Sequence, residues 1–233
     1  MRASYPKYLL RLIGSRLSRS QLYHVQAFVN HLKLGRWMRD HRFQFDRIVP
    51  DRWEVFDVIT SRVQDERVLY LEFGVFKGRT TRYWSAKLRN PDARLHGFDS
   101  FEGLPEEWAD HGKGRIFNAS GQVPVIADPR VQFFKGWFNQ VLPNYVIPEH
   151  DRLILIMDAD LYSSTSYVLH HLRPYIRPGT LIYFDEMNHV EHEPKAFDEF
   201  MNETSLTFRP VCADRTLTYA FFECVGSSDR RIE

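Results

Sequence analysis

A chain of 233 residues with 43% apolar and 26% charged residues is long enough to bury one sizeable core, which excludes a disordered or fibrous class. A formal net charge of +1 gives the molecule no general attraction to nucleic acid, and no apolar run approaches the roughly 20 residues that span a bilayer. Two cysteines, Cys212 and Cys224, are too few for a disulfide framework or a multi-cysteine metal site, and are expected as buried thiols.

The first 50 residues are basic, with ten Lys/Arg from Arg2 to Arg47 against Asp40 and Asp46. Leu9, Leu10, Leu12, Ile13 and Leu17 recur near helical spacing between Lys7, Arg11, Arg16 and Arg19. This predicts a basic amphipathic helix with three readings: a solvated helix packed on the main domain, a lid or homo-oligomer element, or a segment lying on an anionic membrane surface. The expected division is a helical extension or lid over 1–60, a main domain over 61–226 and a polar tail over 227–233. No apolar stretch followed by a small-residue cleavage site opens the chain, so the expected location is cytoplasmic.

From Arg67 onward, short apolar runs alternate with helical segments. Val68 to Phe73, Leu95 to Phe98, Val131 to Phe134, Leu153 to Met157 and Leu181 to Phe184 read as strands. Thr80 to Leu88, Ser163 to Leu172 and Pro194 to Met201 read as helices between or after them. Near-continuous apolar strands separated by helices imply a parallel sheet covered on both faces. Leu206 to Val211 and Leu217 to Cys224, joined through Ala213-Asp-Arg215, read as a closing antiparallel hairpin. The expected fold is α/β: a Rossmann-like, doubly wound, mostly parallel seven-stranded sheet ending in that hairpin. This arrangement resembles that of class I methyltransferases.

Ligands of such sheets bind beyond the carboxyl ends of the strands, so the residues found there are the candidates. The first strand ends in Leu71-Glu-Phe-Gly-Val-Phe-Lys-Gly78, a glycine-rich turn before a helix opening near Thr80 and Thr81. Glycines there let a ligand approach backbone amides. The full dinucleotide spacing is absent, which disfavours a nicotinamide enzyme. Glu72 would repel phosphate but suits a cationic amino group, such as that of S-adenosyl-L-methionine. The second strand ends in Gly97-Phe-Asp-Ser-Phe-Glu-Gly-Leu-Pro105, where Asp99 is placed to bind ribose hydroxyls and Phe101 to stack on adenine. Asp158, Asp160, Asp185 and Glu186 end two further strands. Four carboxylates in one crevice need a cation, a shared proton or basic partners, and hard oxygen ligands favour Mg²⁺ or a similar ion.

These motifs, with Lys135-Gly-Trp-Phe138 and Asp158-Ala-Asp-Leu-Tyr-Ser-Ser-Thr165, resemble the macrocin/mycinamicin O-methyltransferase family over about Arg67 to Cys224. The resemblance implies S-adenosyl-L-methionine held by Glu72, Phe73, Gly74, Gly78, Thr80, Thr81, Asp99, Ser100, Phe101, Gly136 and Trp137. It implies Mg²⁺ on Asp158, Asp185 and Glu186, catalysis through Asp158 and Asp160 with Asp160 as base, and a small-molecule hydroxyl acceptor, in that family a sugar. The family carries two aspartates where this chain has Asp185-Glu186. His189, Glu191, His192 and Glu193 follow and read as solvated or substrate-facing. Among the tryptophans, Trp108 is the one expected to touch a ligand. Competing readings keep the fold without the metal, or make the chain a non-catalytic binding protein. Nothing points to a nucleic-acid substrate.

Overall fold

The computed structural model describes residues 5–106 and 116–227. It divides into two units, Met1–Arg42 and Phe43–Glu233. Trp108 and nearly all of the expected polar tail lie outside the described residues.

The first unit holds α1 (Tyr5–Gly14) and α2 (Arg19–Asp40). Leu9, Leu10, Leu12 and Ile13 fall on α1, as their spacing requires, and Leu17 lies beyond its end. A capping box starts α2: the Ser18 hydroxyl accepts from the Gln21 N–H, and the Ser18 N–H donates to the Gln21 side chain at 2.8 Å.

The second unit opens with β1 (Arg47–Val49) and α3 (Arg52–Val63). The Asp51 carboxylate caps α3 by accepting from the N–H groups of Trp53 and Glu54. There follow β2 (Val68–Phe73), α4 (Arg79–Lys87), β3 (Arg94–Asp99), β4 (Val131–Lys135), α5 (Phe138–Val141) and β5 (Arg152–Met157). The chain then runs through α6 (Tyr162–Leu172), β6 (Leu181–Phe184), α7 (Glu193–Thr204), β7 (Leu206–Asp214) and β8 (Ala220–Ser227).

The strands form one sheet in the order β1-β7-β8-β6-β5-β2-β3-β4. Only β8 runs antiparallel, to both β6 and β7. The fold is the expected mostly parallel sheet with a closing hairpin, with eight strands rather than seven. The additional strand is β1, which pairs with Cys212–Asp214 of β7 and was too short to stand out in the sequence. The hairpin turn is longer than expected because the Asp214 carboxylate accepts from the N–H groups of Thr216, Thr218 and Tyr219, holding those residues out of the ladder. Within β7 the register shifts between Pro210 and Cys212.

Every residue of β2 is buried, because helices cover both faces of the sheet. On one face Phe56 of α3 packs against Tyr183 at 4.9 Å and Trp84 at 5.7 Å. On the other, Phe197 of α7 meets Phe184, Phe208 and Phe222 at 4.8–5.1 Å. Such side chains each contribute about 1.5–3 kcal/mol by leaving water, enough to fix how the strand ends are presented. Both cysteines are buried and free, in register with Phe221 and Phe208 rather than with each other. Among the described residues, no helix is long and apolar enough to cross a membrane.

Candidate active site

Four strands end level: Phe73 is in register with Phe98 and with Met157, and Met157 with Phe184. Gly74, Asp99, Asp158 and Asp185 therefore emerge side by side, at the point where the strand order reverses between β2 and β5. A cavity of about 890 Å³ opens above them.

The turn after β2 passes directly over the end of β5. At Gly74, φ is +96°, and a Cβ there would lie 1.8 Å from the Asp158 carbonyl oxygen, so no other residue fits. Asp99 holds the same turn: one carboxylate oxygen accepts from the N–H groups of Val75 and Phe76 at 2.8 and 2.7 Å, the other from Phe101 at 2.6 Å. A carboxylate offers about four acceptor positions, so Asp99 can shape the loop and still receive a ligand hydroxyl. Glu72 lies beneath the turn, bonded by the hydroxyls of Tyr70 and Thr81. Burial pushes its carboxyl up to about 7 against those two hydrogen bonds.

The acidic group behind them is densely coupled. Burial and the charge of Asp185 raise Asp158 well above the carboxylate range, and burial likewise raises Asp185. Burial with the charges of Asp185 and Asp99 brings Asp160 to about 7, and burial with Asp160 and Asp185 brings Glu186 to about 8. Asp160 adopts φ +59°, an uncommon conformation for a side-chain-bearing residue, which turns it to the cavity wall.

Two residues organise this group, and sequence reasoning missed both. Arg52, the first residue of α3, donates from Nη2 to Thr80 Oγ1 at 2.8 Å and Asp158 Oδ2 at 3.0 Å, and pairs with Asp185 Oδ1 at 3.2 Å. Burial opposes its charge, but the charges of Asp185 and Asp158 and the hydrogen bond to Asp158 offset burial and keep the guanidinium protonated. The sequence places Glu193 in a solvated or substrate-facing loop. It is instead fully buried, accepting from the backbone N–H groups of Ala159, Asp185 and Glu186 at 3.1–3.3 Å. An acidic residue just before Pro194 at a helix start was the available signal. His189 and His192 are half-buried, and burial lowers both toward the neutral form.

Of the residues expected at the cofactor, Gly74, Thr80, Asp99, Ser100, Gly136 and Trp137 line the cavity, as do Asp158, Asp160, Asp185 and Glu186. Glu72, Phe73, Gly78, Thr81 and Phe101 do not. Phe73 stacks on Phe98 in the core, and Thr81 and Glu72 bond each other below the surface. Phe101, expected on adenine, is fully buried: at φ +59° its ring turns inward, edge-on to Phe133. Trp137 and Phe138, just past the end of β4, line the cavity, with Phe76, Phe117 and Tyr167 among its other aromatic residues. The expected Mg²⁺ ligands stand at neighbouring strand ends, but Asp158 and Asp185 pair with Arg52, and Glu186 faces His189 at 3.5 Å. Among the described residues, no three acidic, histidine or cysteine side chains are disposed around a single ion position.

Comparison with known proteins adds the following. The model of the macrocin-O-methyltransferase (TylF) family matches residues 42–220. The 8-demethyl-8-(2,3-dimethoxy-alpha-L-rhamnosyl)-tetracenomycin-C 4'-O-methyltransferase of Streptomyces olivaceus is 31% identical over 136 residues, 50% of this chain and 51% of that protein. The demethyldecarbamoylnovobiocin O-methyltransferase of Streptomyces niveus is 27% identical over 185 residues, 71% of this chain and 69% of that protein. The chain thus spans about half the length of the first relative and about two thirds of the second. Among solved structures, the calicheamicin methyltransferase CalS11 superposes with a TM-score of 0.55 at 21% identity, covering 73% of this chain and 77% of that one, a likeness of fold.

Proposed function

Since this chain belongs to the macrocin-O-methyltransferase family, we propose that its cavity binds S-adenosyl-L-methionine and that it methylates a hydroxyl of a sugar or other small natural-product acceptor. The observation that carries this reading is the level ending of β2, β3 and β5, which gathers the Gly74 turn, Asp99 and Asp160 around one cavity.

The cavity suits the cofactor in size and chemistry, since small-molecule sites run to about 300–1,000 Å³. The start of α4 at Arg79 and Thr80, whose N–H groups have no acceptor within the helix, would receive the amino-acid end by its carboxylate. Asp99 would receive a ribose hydroxyl, and Ser100 and Trp137 would border the adenine. When bound, the cofactor supplies an electrophilic sulfonium methyl.

The protein's part is to place the acceptor oxygen and take its proton. Asp160 faces the cavity with its carboxyl near pH 7, where a general base is both ionised and basic enough to accept. Glu193, through the backbone of Ala159, fixes the loop that carries Asp160. Mg²⁺ does not fit the residues as arranged, because Asp158 and Asp185 direct oxygens at Arg52, and no step is assigned to a metal.

Calorimetric titration with S-adenosyl-L-homocysteine tests the reading. Micromolar binding is expected, weakened at least about tenfold in Asp99→Ala, the loss of one charge-assisted hydrogen bond. Absence of binding to the parent protein would overturn the assignment. Mass-spectrometric detection of a 14-dalton gain on glycosylated acceptors would then identify the substrate.

A further inference from the structure

The acidic cluster poses an electrostatic problem that the family comparison does not address. Asp158, Asp160, Asp185, Glu186 and Glu193 crowd the ends of β5 and β6, and such a group persists by retaining protons or by gaining compensating positive charge. The structure contains that charge as a side chain. Arg52 reaches Asp158, Asp185 and Thr80 from a single nitrogen. Four rings enclose its guanidinium, with centroids at 5.5 Å for Phe56, 5.7 Å for Tyr219, 5.8 Å for Trp53 and 6.0 Å for Tyr183. Tyr183 also donates to Asp185 Oδ1 at 2.5 Å, taking up an oxygen a metal would need.

This is a built cation site, since aromatic faces attract a guanidinium and its fixed fork of donors matches carboxylates. A divalent ion of the Mg²⁺ type requires near-octahedral oxygen ligation. To acquire it here, the ion would have to displace Arg52 from both aspartates while leaving that cation beside it. The position of Arg52 is itself constrained: it is the first residue of α3, directly after the Asp51 cap, and α3 is anchored in the core through Val55, Phe56 and Ile59.

We propose that Arg52 is the resident cation of this site, occupying between Asp158 and Asp185 the place where a carboxylate-rich cavity would otherwise hold a divalent metal, so that this chain excludes such an ion. The proposal rests on the methyltransferase reading only for what the cavity binds. Arg52 acts as a positioning residue, fixing the two aspartates behind Asp160.

Mn²⁺ titration followed by water-proton relaxation, on the full chain without cofactor, tests this separately from cofactor binding. The parent protein is expected to leave relaxation unchanged through millimolar Mn²⁺. Arg52→Met, which keeps bulk and removes charge, is expected to bind Mn²⁺ at least about tenfold more tightly and to gain melting temperature when the ion is added. Adding Asp185→Asn to that variant should abolish the gain, and Arg52→Lys, which keeps a cation, should still exclude the ion. Micromolar Mn²⁺ binding by the parent protein, lost in Asp185→Asn, would overturn the proposal. So would an Arg52→Met variant that folds, by circular dichroism, and still takes up no Mn²⁺. Binding of S-adenosyl-L-homocysteine in EDTA, measured alongside, reports on the cofactor reading whichever way the Mn²⁺ titration falls.

Discussion

Glu72 and Gly74 lie two residues apart, and each places a different physical demand on the chain. The Glu72 carboxyl titrates near 7 in the fold because burial disfavours its charge, whereas the ordinary value is 4.5. Between those values the folded protein keeps a proton that the unfolded chain has released. The stability this contributes is complete below pH 4.5 and falls by about 3 kcal/mol as the pH rises through 7. Glu72→Gln removes the titration. Its ligand-free melting temperature should therefore vary less between pH 5 and 8 than the parent's, and exceed the parent's at pH 8. Melting curves that stay parallel across that range would refute the assignment. Gly74→Ala acts through geometry instead. Its Cβ would sit inside the Asp158 carbonyl contact at a positive φ, so a loss of at least about 3 kcal/mol is expected in urea unfolding.

Among the elements, the start of α7 has an influence beyond its own helix. The single carboxylate of Glu193 receives three backbone N–H groups from the ends of β5 and β6, coupling the loops of Asp158–Asp160 and Asp185–Glu186. Glu193→Gln turns part of that acceptor into a donor facing donors. It should cost about 1–3 kcal/mol in denaturant unfolding and loosen both loops, seen as faster amide exchange at Ala159 and Glu186. Unchanged exchange would show that the loops hold themselves.

The strands were legible in the sequence because burial on both faces leaves uninterrupted apolar runs, and the glycine turn and acidic strand ends follow directly after them. Arg52 was not, because it stands 106 residues from Asp158 and just past the basic stretch, where no motif or strand end marks it. Phe101 was misread because a ring beside a cofactor motif looks like a stacking partner until the left-handed backbone at that position is known. Glu193 hid in a run of histidines and glutamates whose composition signals water rather than a buried clamp.

Across the whole molecule, the sheet closes on one side with the long β7, and β1 pairs with only three of its nine residues. The rest of β7 carries Arg209, ion-paired to Asp46 and Glu223, then Pro210, then the register shift before Cys212. A charged residue, a residue without an N–H and a bulge are the features that make a strand edge a poor template for another chain. Pro210 is itself buried, so the exposed deterrent at that edge is Arg209, and Arg209→Val replaces its charge with a β-favouring residue. It should leave the melting temperature nearly unchanged while raising light scattering on prolonged incubation at high concentration, and equal scattering would count against this reading. On that reading Arg209 sets the concentration the protein can reach before its molecules associate edge to edge, a colloidal property governed outside the cavity where its chemistry is proposed to take place.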